Sequence, residues 1–375
     1  MEQAKVERTP AFLPLEAYTM RLRALFEGRG YRRVRPPRFE DYALLLDNKN
    51  FLGTDRILTF MDPGGRMLSL KPDTTLSLAS EVSDDILPCA EKLYYTDEVA
   101  RYDPENLSYR ITEQVGVELI GREDAFSAVE AADLALRSLC ATGEESVLDI
   151  SHLGFVKGLL AGADLGAPVE REVLGAIHSR SAHNLCGILD SAGVENGHRA
   201  SILELAAIHG PFNEQLARAG ALVRGPYMEE AFSELEALGA SLSPGPGQRL
   251  NLDFSVVGDL DYYNGLVLRG YIKGIPGMVL GGGRYDNLMA KLGKKSTAIG
   301  FAVYLHRLEN SLAGAPPATD ILLLYPKDCD PAALLREAER LGQKGLTVRC
   351  EREDGDFSGL RFNETVYFKG VKPDA

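Results

Sequence analysis

Several common chemistries are excluded by what this sequence lacks. Its five cysteines (Cys89, Cys140, Cys186, Cys329 and Cys350) are odd in number, scattered and without a Cys-x-x-Cys pair. They fit reduced thiols in a cytosol rather than a disulfide framework. The six histidines show no metal-ligand spacing. His178 and His183 are five apart, which suits neither one helix face nor a His-Glu-x-x-His pair, so no metal or other cofactor is expected. No apolar run approaches about 18 residues. The start, MEQAKVERTPAF, has no apolar signal region, so a cytoplasmic protein without a membrane partner is expected. Basic residues are in deficit, with 41 Lys and Arg against 54 Asp and Glu and a net charge of −13. That balance argues against a broadly basic nucleic-acid surface.

What is present is an ordinary globular composition, 45% hydrophobic and 25% charged over 375 residues. This is enough chain for two or three domains around a well-buried main core. Near the N-terminus, Leu15, Tyr18, Leu22, Leu25 and Phe26 form one helical stripe, which Gly28 and Gly30 end. The segment YRRVRPPRFEDY then reads as a strand, with Pro36 and Pro37 tolerated at an edge or chain crossover. Ile57 to Met61 and Arg66 to Leu70 alternate as a hairpin about Asp-Pro-Gly-Gly. LKPDTT opens a helix whose free N–H groups, with the hydroxyl of Thr74 or Thr75, are placed to grip a polar ligand.

From Lys92 two strands are joined by a polar, proline-bearing loop, Asp103 to Ser108. The second strand alternates Val115, Val117 and Leu119 against Gly116, Glu118 and Ile120. A helix follows between Arg122 and Ala141, read with Phe126, Val129, Ala132 and Leu136 inward. His152 reads as a satisfied polar residue at a strand end. Residues 160–245 hold several helical stripes and no strong strand, and the SPGPGQ run ends them. After the GAPPATD linker come a strand ILLLYP, a helix PAALLREAERLGQKG, a strand LTVRC and a third strand near the end.

The most informative stretch runs from Asp259 to Asn310. It holds an apolar-aromatic strand pair (Leu260 to Tyr271) containing LDYY, then a glycine turn (Gly281 to Gly283) leading into RYDNL. AIGFAVYLHRL follows, in which the Ala298 to Val303 strand runs into a turn carrying Arg307. Each piece alone is common. In this order and spacing they resemble the C-terminal half of the class II histidyl-tRNA synthetase catalytic domain. The resemblance implies an α+β fold, with a class II synthetase-like antiparallel sheet flanked by helices. It implies a catalytic-type domain over residues 1–312 with a helical insertion at about 160–245. A small α/β domain over 318–375 would resemble a truncated anticodon-binding domain. The segment ending in Pro-x-Phe-Glu resembles motif 1, which implies a homodimer. By the same resemblance Asp73, Thr75, Gln114, Glu118, Tyr263 and Tyr285 would form a histidine pocket. Arg101, Arg110 and Arg307 would stand on its ATP and phosphate side, where cations aimed at phosphate are physically sensible.

The sequence departs from the synthetase pattern where ATP would act. Gly258 and Asp259 stand where the synthetases have Arg-Gly before LDYY, so a cation is lost and a carboxylate gained. Tyr304 replaces a glycine of motif 3, and His306 replaces a glutamate. The loop that is normally basic is acidic here, which argues further against a tRNA partner. A synthetase-like core with these changes resembles the regulatory subunit family of ATP phosphoribosyltransferase. That resemblance implies no catalysis of its own and assembly with the short-form catalytic subunit in a hetero-oligomer. It also implies a part in histidine feedback on the first step of histidine biosynthesis, with histidine as effector. The alternative is a histidyl-tRNA synthetase or synthetase-like ligase that forms histidyl adenylate, which the retained arginines favour.

Overall fold

The structure, a computed structural model, describes residues 14–52, 56–83, 85, 89–104, 106–121, 124–257, 262–309, 311 and 319–369. Two units form: a larger one spanning Tyr18–Ser311, and a smaller one that holds the C-terminal strands and helix. In chain order the larger unit begins with α1 (Pro14–Gly28), of which it holds the part from Tyr18 on, then β1 (Arg32–Arg33), β2 (Phe39–Asp41), α2 (Tyr42–Asp47), β3 (Thr59–Met61), β4 (Met67–Leu70) and α3 (Thr74–Glu81). It continues β5 (Glu91–Asp103), β6 (Ser108–Gly121), α4 (Ala125–Cys140) and β7 (Ser146–His152). A helical stretch follows: α5 (Leu153–Ala161), α6 (Ala167–His178), α7 (Ala182–Ser191), α8 (Asn196–Ala206), the short β8 (His209–Pro211), α9 (Phe212–Gly220) and α10 (Gly225–Ser241). The chain returns through β9 (Gln248–Asp253), β10 (Leu266–Ile272), β11 (Leu280–Arg284), α11 (Asp286–Lys291) and β12 (Thr297–Tyr304).

Nine strands make one sheet in the order β1-β5-β6-β12-β11-β10-β7-β9-β8. The expected antiparallel sheet is corrected in one respect. The β1–β5 and β7–β9 pairs are parallel, so the sheet is mixed, although its central strands from β5 to β7 are antiparallel throughout. The single strand expected over YRRVRPPRFEDY is also corrected. Pro36 and Pro37 cannot donate to a ladder, and the chain breaks there into β1, on the large sheet, and β2, on a separate sheet ordered β2-β4-β3.

Helix α1 packs on the large sheet through Tyr18, Leu22 and Phe26, which are fully buried at i, i+4 spacing. The Tyr18 hydroxyl donates to the Ser138 carbonyl at 3.0 Å, joining α1 to α4. The Phe26 ring meets those of Tyr31, Tyr94 and Phe301 at centroid distances of 6.0 to 6.5 Å. In α4 the inward reading of Phe126 is overturned, since the residue is 61% exposed. It sits in the first turn, and the face against the sheet is made by the small residues Ala128, Ala131, Ala132 and Ala135 with Leu139. Their size lets α4 approach the backbone closely. His152 ends β7 and caps α5: its Nδ1 accepts from the Phe155 N–H at 3.3 Å while Nε2 meets Glu234 at 2.8 Å.

The smaller unit contains β13 (Thr319–Tyr325), α12 (Pro331–Gly342), β14 (Val348–Arg352) and β15 (Phe362–Tyr367). Its strands lie in the order β14-β13-β15 and pair in parallel. Asp330 caps α12 by accepting from the Ala332 N–H at 3.0 Å. Ile321, Leu323 and Leu341 form the buried centre.

Removing the Phe26 ring leaves a cavity between α1 and the sheet. Phe26→Ala is expected to cost about 3–5 kcal/mol. In urea unfolding this should appear as a lower midpoint with an unchanged m value.

Candidate functional site

The antiparallel centre of the sheet carries a cavity of about 510 Å³ on one face. Side chains alternate across a strand, and the register lines up one parity: Gln114, Gly116 and Glu118 of β6 face Tyr304, Ala302 and Gly300 of β12. Next to them Ala302 pairs with Gly281 and Gly300 with Gly283 of β11. The floor is thus almost bare backbone. A Cβ on Gly300 would collide with the Glu118 carboxylate, and one on Gly116 with the Tyr95 hydroxyl. The alternation read along β6 is therefore real, but both of its faces are buried, one under helices and one under this pocket.

Glu118 lies at the centre of the floor, buried, with one oxygen accepting from the Thr75 hydroxyl at 2.8 Å and the other from the Tyr285 hydroxyl at 2.6 Å. Thr75 stands in the first turn of α3, which Asp73 caps by accepting the Leu76 N–H at 2.8 Å. The expectation that the start of α3 offers free donors is therefore corrected. The Leu76 N–H is engaged by Asp73, and the Thr74 hydroxyl donates to Asp97 at 2.6 Å. Thr74 in turn accepts from the Gln114 amide at 3.0 Å. Asp97 pairs at 2.5 Å with Lys71, which is 1% exposed and donates to the Pro37 carbonyl at 2.8 Å. A buried ammonium requires such a set of acceptors.

The site residues read from the sequence divide in two. Asp73, Thr75, Gln114, Glu118, Tyr263 and Tyr285 all line the cavity, and so does Arg101. Arg110 and Arg307 do not line it among the described residues. Arg110 pairs with Asp103 at 2.7 Å across the β5–β6 hairpin, and Arg307 donates to the Pro276 carbonyl at 3.4 Å. Gly258 and Asp259 lie outside the described residues. The sequence reading missed Arg171, Met278, Tyr95 and the wall from Asn50 to Leu52. Arg171 belongs to a helix remote in the chain, and no local pattern marks it. The glycine end of the floor is covered: the Tyr304 hydroxyl lies 2.8 Å from where a Gly281 Cβ would stand, beside the Met278 thioether. The Arg101 guanidinium is 6.0 Å from the Tyr304 ring centre.

Residues 10–308 match the family model described as histidyl-tRNA synthetase. The chain is 33% identical over 356 residues to the ATP phosphoribosyltransferase regulatory subunit of Moorella thermoacetica, covering 92% of this chain and 90% of that one. It is 32% identical over 319 residues to the histidine–tRNA ligase of Methanosphaerula palustris, covering 80% and 73% respectively. Among solved structures it is similar to an ATP phosphoribosyltransferase regulatory subunit/histidyl-tRNA synthetase from Bacillus halodurans, with a TM-score of 0.79, 20% identity and 98% of each chain covered.

Burial raises the Glu118 carboxyl from 4.5 to about 8, against the opposing hydrogen bonds from Tyr285 and Thr75; the neighbouring Asp73 charge adds to the rise. Asp73 is raised by burial too, opposed by its cap N–H and by Arg101. Below pH 4.5 Glu118 is protonated in both the folded and the unfolded chain and has no effect on stability. As pH rises toward 8 the unfolded chain ionises first, so this contribution to stability falls, and the loss is complete above the folded value. Glu118→Gln is therefore expected to remove a slope of about 1 kcal/mol per pH unit over that window, as read from urea unfolding at a series of pH values.

Proposed function

We propose, from the premise that this chain belongs to the histidyl-tRNA synthetase family and within it to the ATP phosphoribosyltransferase regulatory subunits, that its pocket binds histidine without adenylating it. The chain is a regulatory subunit of ATP phosphoribosyltransferase, acting in histidine biosynthesis. The absence of catalysis, the effector and the assembly are our reading. What carries the non-catalytic reading is the pocket rim. Tyr304 and Met278 lie over the glycine end of the floor, and two of the three arginines expected on the phosphate side are engaged elsewhere. Adenylation needs cations gathered around the carboxylate and α-phosphate as charge develops.

The other half of the pocket suits a small imidazole-bearing amino acid. Glu118 and Asp73 offer carboxylates to cationic groups, and Gln114 offers an amide beside them. Entry of a cation next to Glu118 would favour its ionised form, so binding at neutral pH should release a proton. Phe39 and Phe60 are 50% and 38% exposed on the β2-β4-β3 sheet, their rings 5.1 Å apart. This apolar face supports a homodimer through that sheet. Among the described residues no helix is long and apolar enough to cross a membrane. We assign the chain to the cytoplasm, as a synthetase-like domain over residues 1–312 with a helical insertion at about 160–245, followed by a small α/β domain over 318–375. tRNA is not assigned as a partner.

A second reading, a ligase forming histidyl adenylate, is favoured by Arg101 in the pocket lining and by the similarity to a histidine–tRNA ligase. Reconstitution separates the two. Mixed with a purified short-form catalytic subunit, this chain is expected to co-elute on size exclusion and to raise phosphoribosyl transfer severalfold. It should give no histidine-dependent exchange of pyrophosphate into ATP. No complex and no gain, together with measurable exchange, would move the ligase reading to the front. Calorimetric titration tests the pocket: Glu118→Ala is expected to weaken histidine binding at least tenfold, whereas unchanged affinity would remove Glu118 from the site.

A further inference from the structure

The charges lining the pocket are unequal in origin. Its carboxylates among the described residues, Glu118 and Asp73, come from the sheet and from the cap of α3 respectively. Its two lining guanidinium groups come from different layers, Arg101 from the end of β5 and Arg171 from α6 in the helical stretch. Elsewhere arginines are held by carboxylates: Arg218 by Glu204 at 2.7 Å, Arg199 by Asp190 at 2.7 Å and Arg284 by Glu234 at 2.5 Å. Arg171 is not. Its Nε donates at 3.3 Å to the Ala167 carbonyl one turn back on its own helix, and among the described residues it forms no ion pair. Arg101 likewise forms none among the described residues. Among the described residues, two guanidinium groups without carboxylate partners thus line one cavity whose other charges are the carboxylates of Asp73 and Glu118.

The far end of α6 is anchored to the core. His178 Nδ1 lies 3.1 Å from the Ser255 carbonyl, and Arg180 pairs with Asp253 and donates to the Ser255 hydroxyl at 3.1 Å. Val173, Leu174 and Ile177 are buried. Arg171 sits in the first two turns, opposite the anchored end.

We infer that Arg171 is a binding residue of this pocket, completing with Arg101 an anion subsite for the α-carboxylate of the amino-acid ligand, so that an occupied pocket ties the start of α6 to the sheet. The inference rests on the histidine reading of the same pocket. A carboxylate between two guanidinium groups forms charge-assisted hydrogen bonds that neither water nor a single cation replaces in full. A ligand with cationic groups toward Glu118 and Asp73 and a carboxylate toward the arginines complements both ends of the cavity. An amine without the carboxylate complements only one.

The test is a calorimetric cycle on the full chain, with histidine and with histamine, which lacks the carboxylate. Arg171→Ala is expected to weaken histidine about tenfold and to leave histamine unchanged, with Arg171→Lys intermediate. Hydrogen exchange at the start of α6 should slow when histidine is added to the unsubstituted chain and not when it is added to Arg171→Ala. Equal losses for both ligands, or none for histidine, would overturn the inference while leaving the histidine pocket standing. Failure of the unsubstituted chain to bind histidine would overturn the pocket reading and this inference with it. Pyrophosphate is the control probe. If Arg171→Ala weakens pyrophosphate and not histidine, the subsite takes phosphate oxygens and the carboxylate assignment is wrong.

Discussion

The carboxyl group of Glu118 lies in the middle of a large sheet, where burial works against its ionised form. Much of the surrounding structure answers to that placement. Gly300 on the neighbouring strand lacks a side chain because the carboxylate occupies that space. The hydroxyls of Thr75 and Tyr285 approach from two different helix starts, one at α3 and one at the entry to α11. For Thr75 to reach Glu118 the start of α3 has to be fixed, and the Asp73 cap fixes it. The rest of α3 is held from behind, where Ser77 bonds Glu40 of the small sheet. A carboxyl group with two donors and bare backbone around it is a defined polar point in an otherwise closed layer.

The same helix links the pocket to the apolar sheet beside it. One side of α3 faces Glu118, and its polar residues Thr74 and Ser77 lead to Lys71 and β2. Lys71 closes the set by holding the Pro37 carbonyl at the chain crossover from which β2 and the exposed Phe39 depart. A buried ammonium–carboxylate pair contributes little net stability against an apolar substitute, but it is costly to break and fixes geometry. Here it fixes the crossover relative to the pocket wall.

Much of this was legible in the chain. The stripe of Tyr18, Leu22 and Phe26 has helical spacing, and the parity of Gly116 and Glu118 on β6 follows from strand alternation. Six pocket residues and Arg101 could be named because they lie in motifs of fixed order. The misreadings have physical causes. Phe126 is apolar but falls in the first turn of α4, where small alanines had already taken the face against the sheet. Arg110 lies on β6 with the right parity, yet Asp103 sits across the hairpin, and local ion pairing is invisible to a motif. Arg171 could not be read at all, because its place depends on how a helix some fifty residues past the β6 strand folds back over the sheet.

A floor made by leaving side chains out has an asymmetric mutational fate. At Gly116, Gly300 and Gly281 the space beside the backbone is already taken, by Tyr95, Glu118 and Tyr304 respectively. A single methyl group added at Gly300 or Gly281 narrows the cavity, yet no substitution at any of the three can widen it, since glycine has nothing left to remove. Drift at these glycines can therefore only close the pocket. Any broadening of what it admits has to come from the rim, at Tyr304, Met278 or Arg171, where a side chain can still be shortened. Relatives that differ in ligand range should accordingly share the floor and vary at the rim.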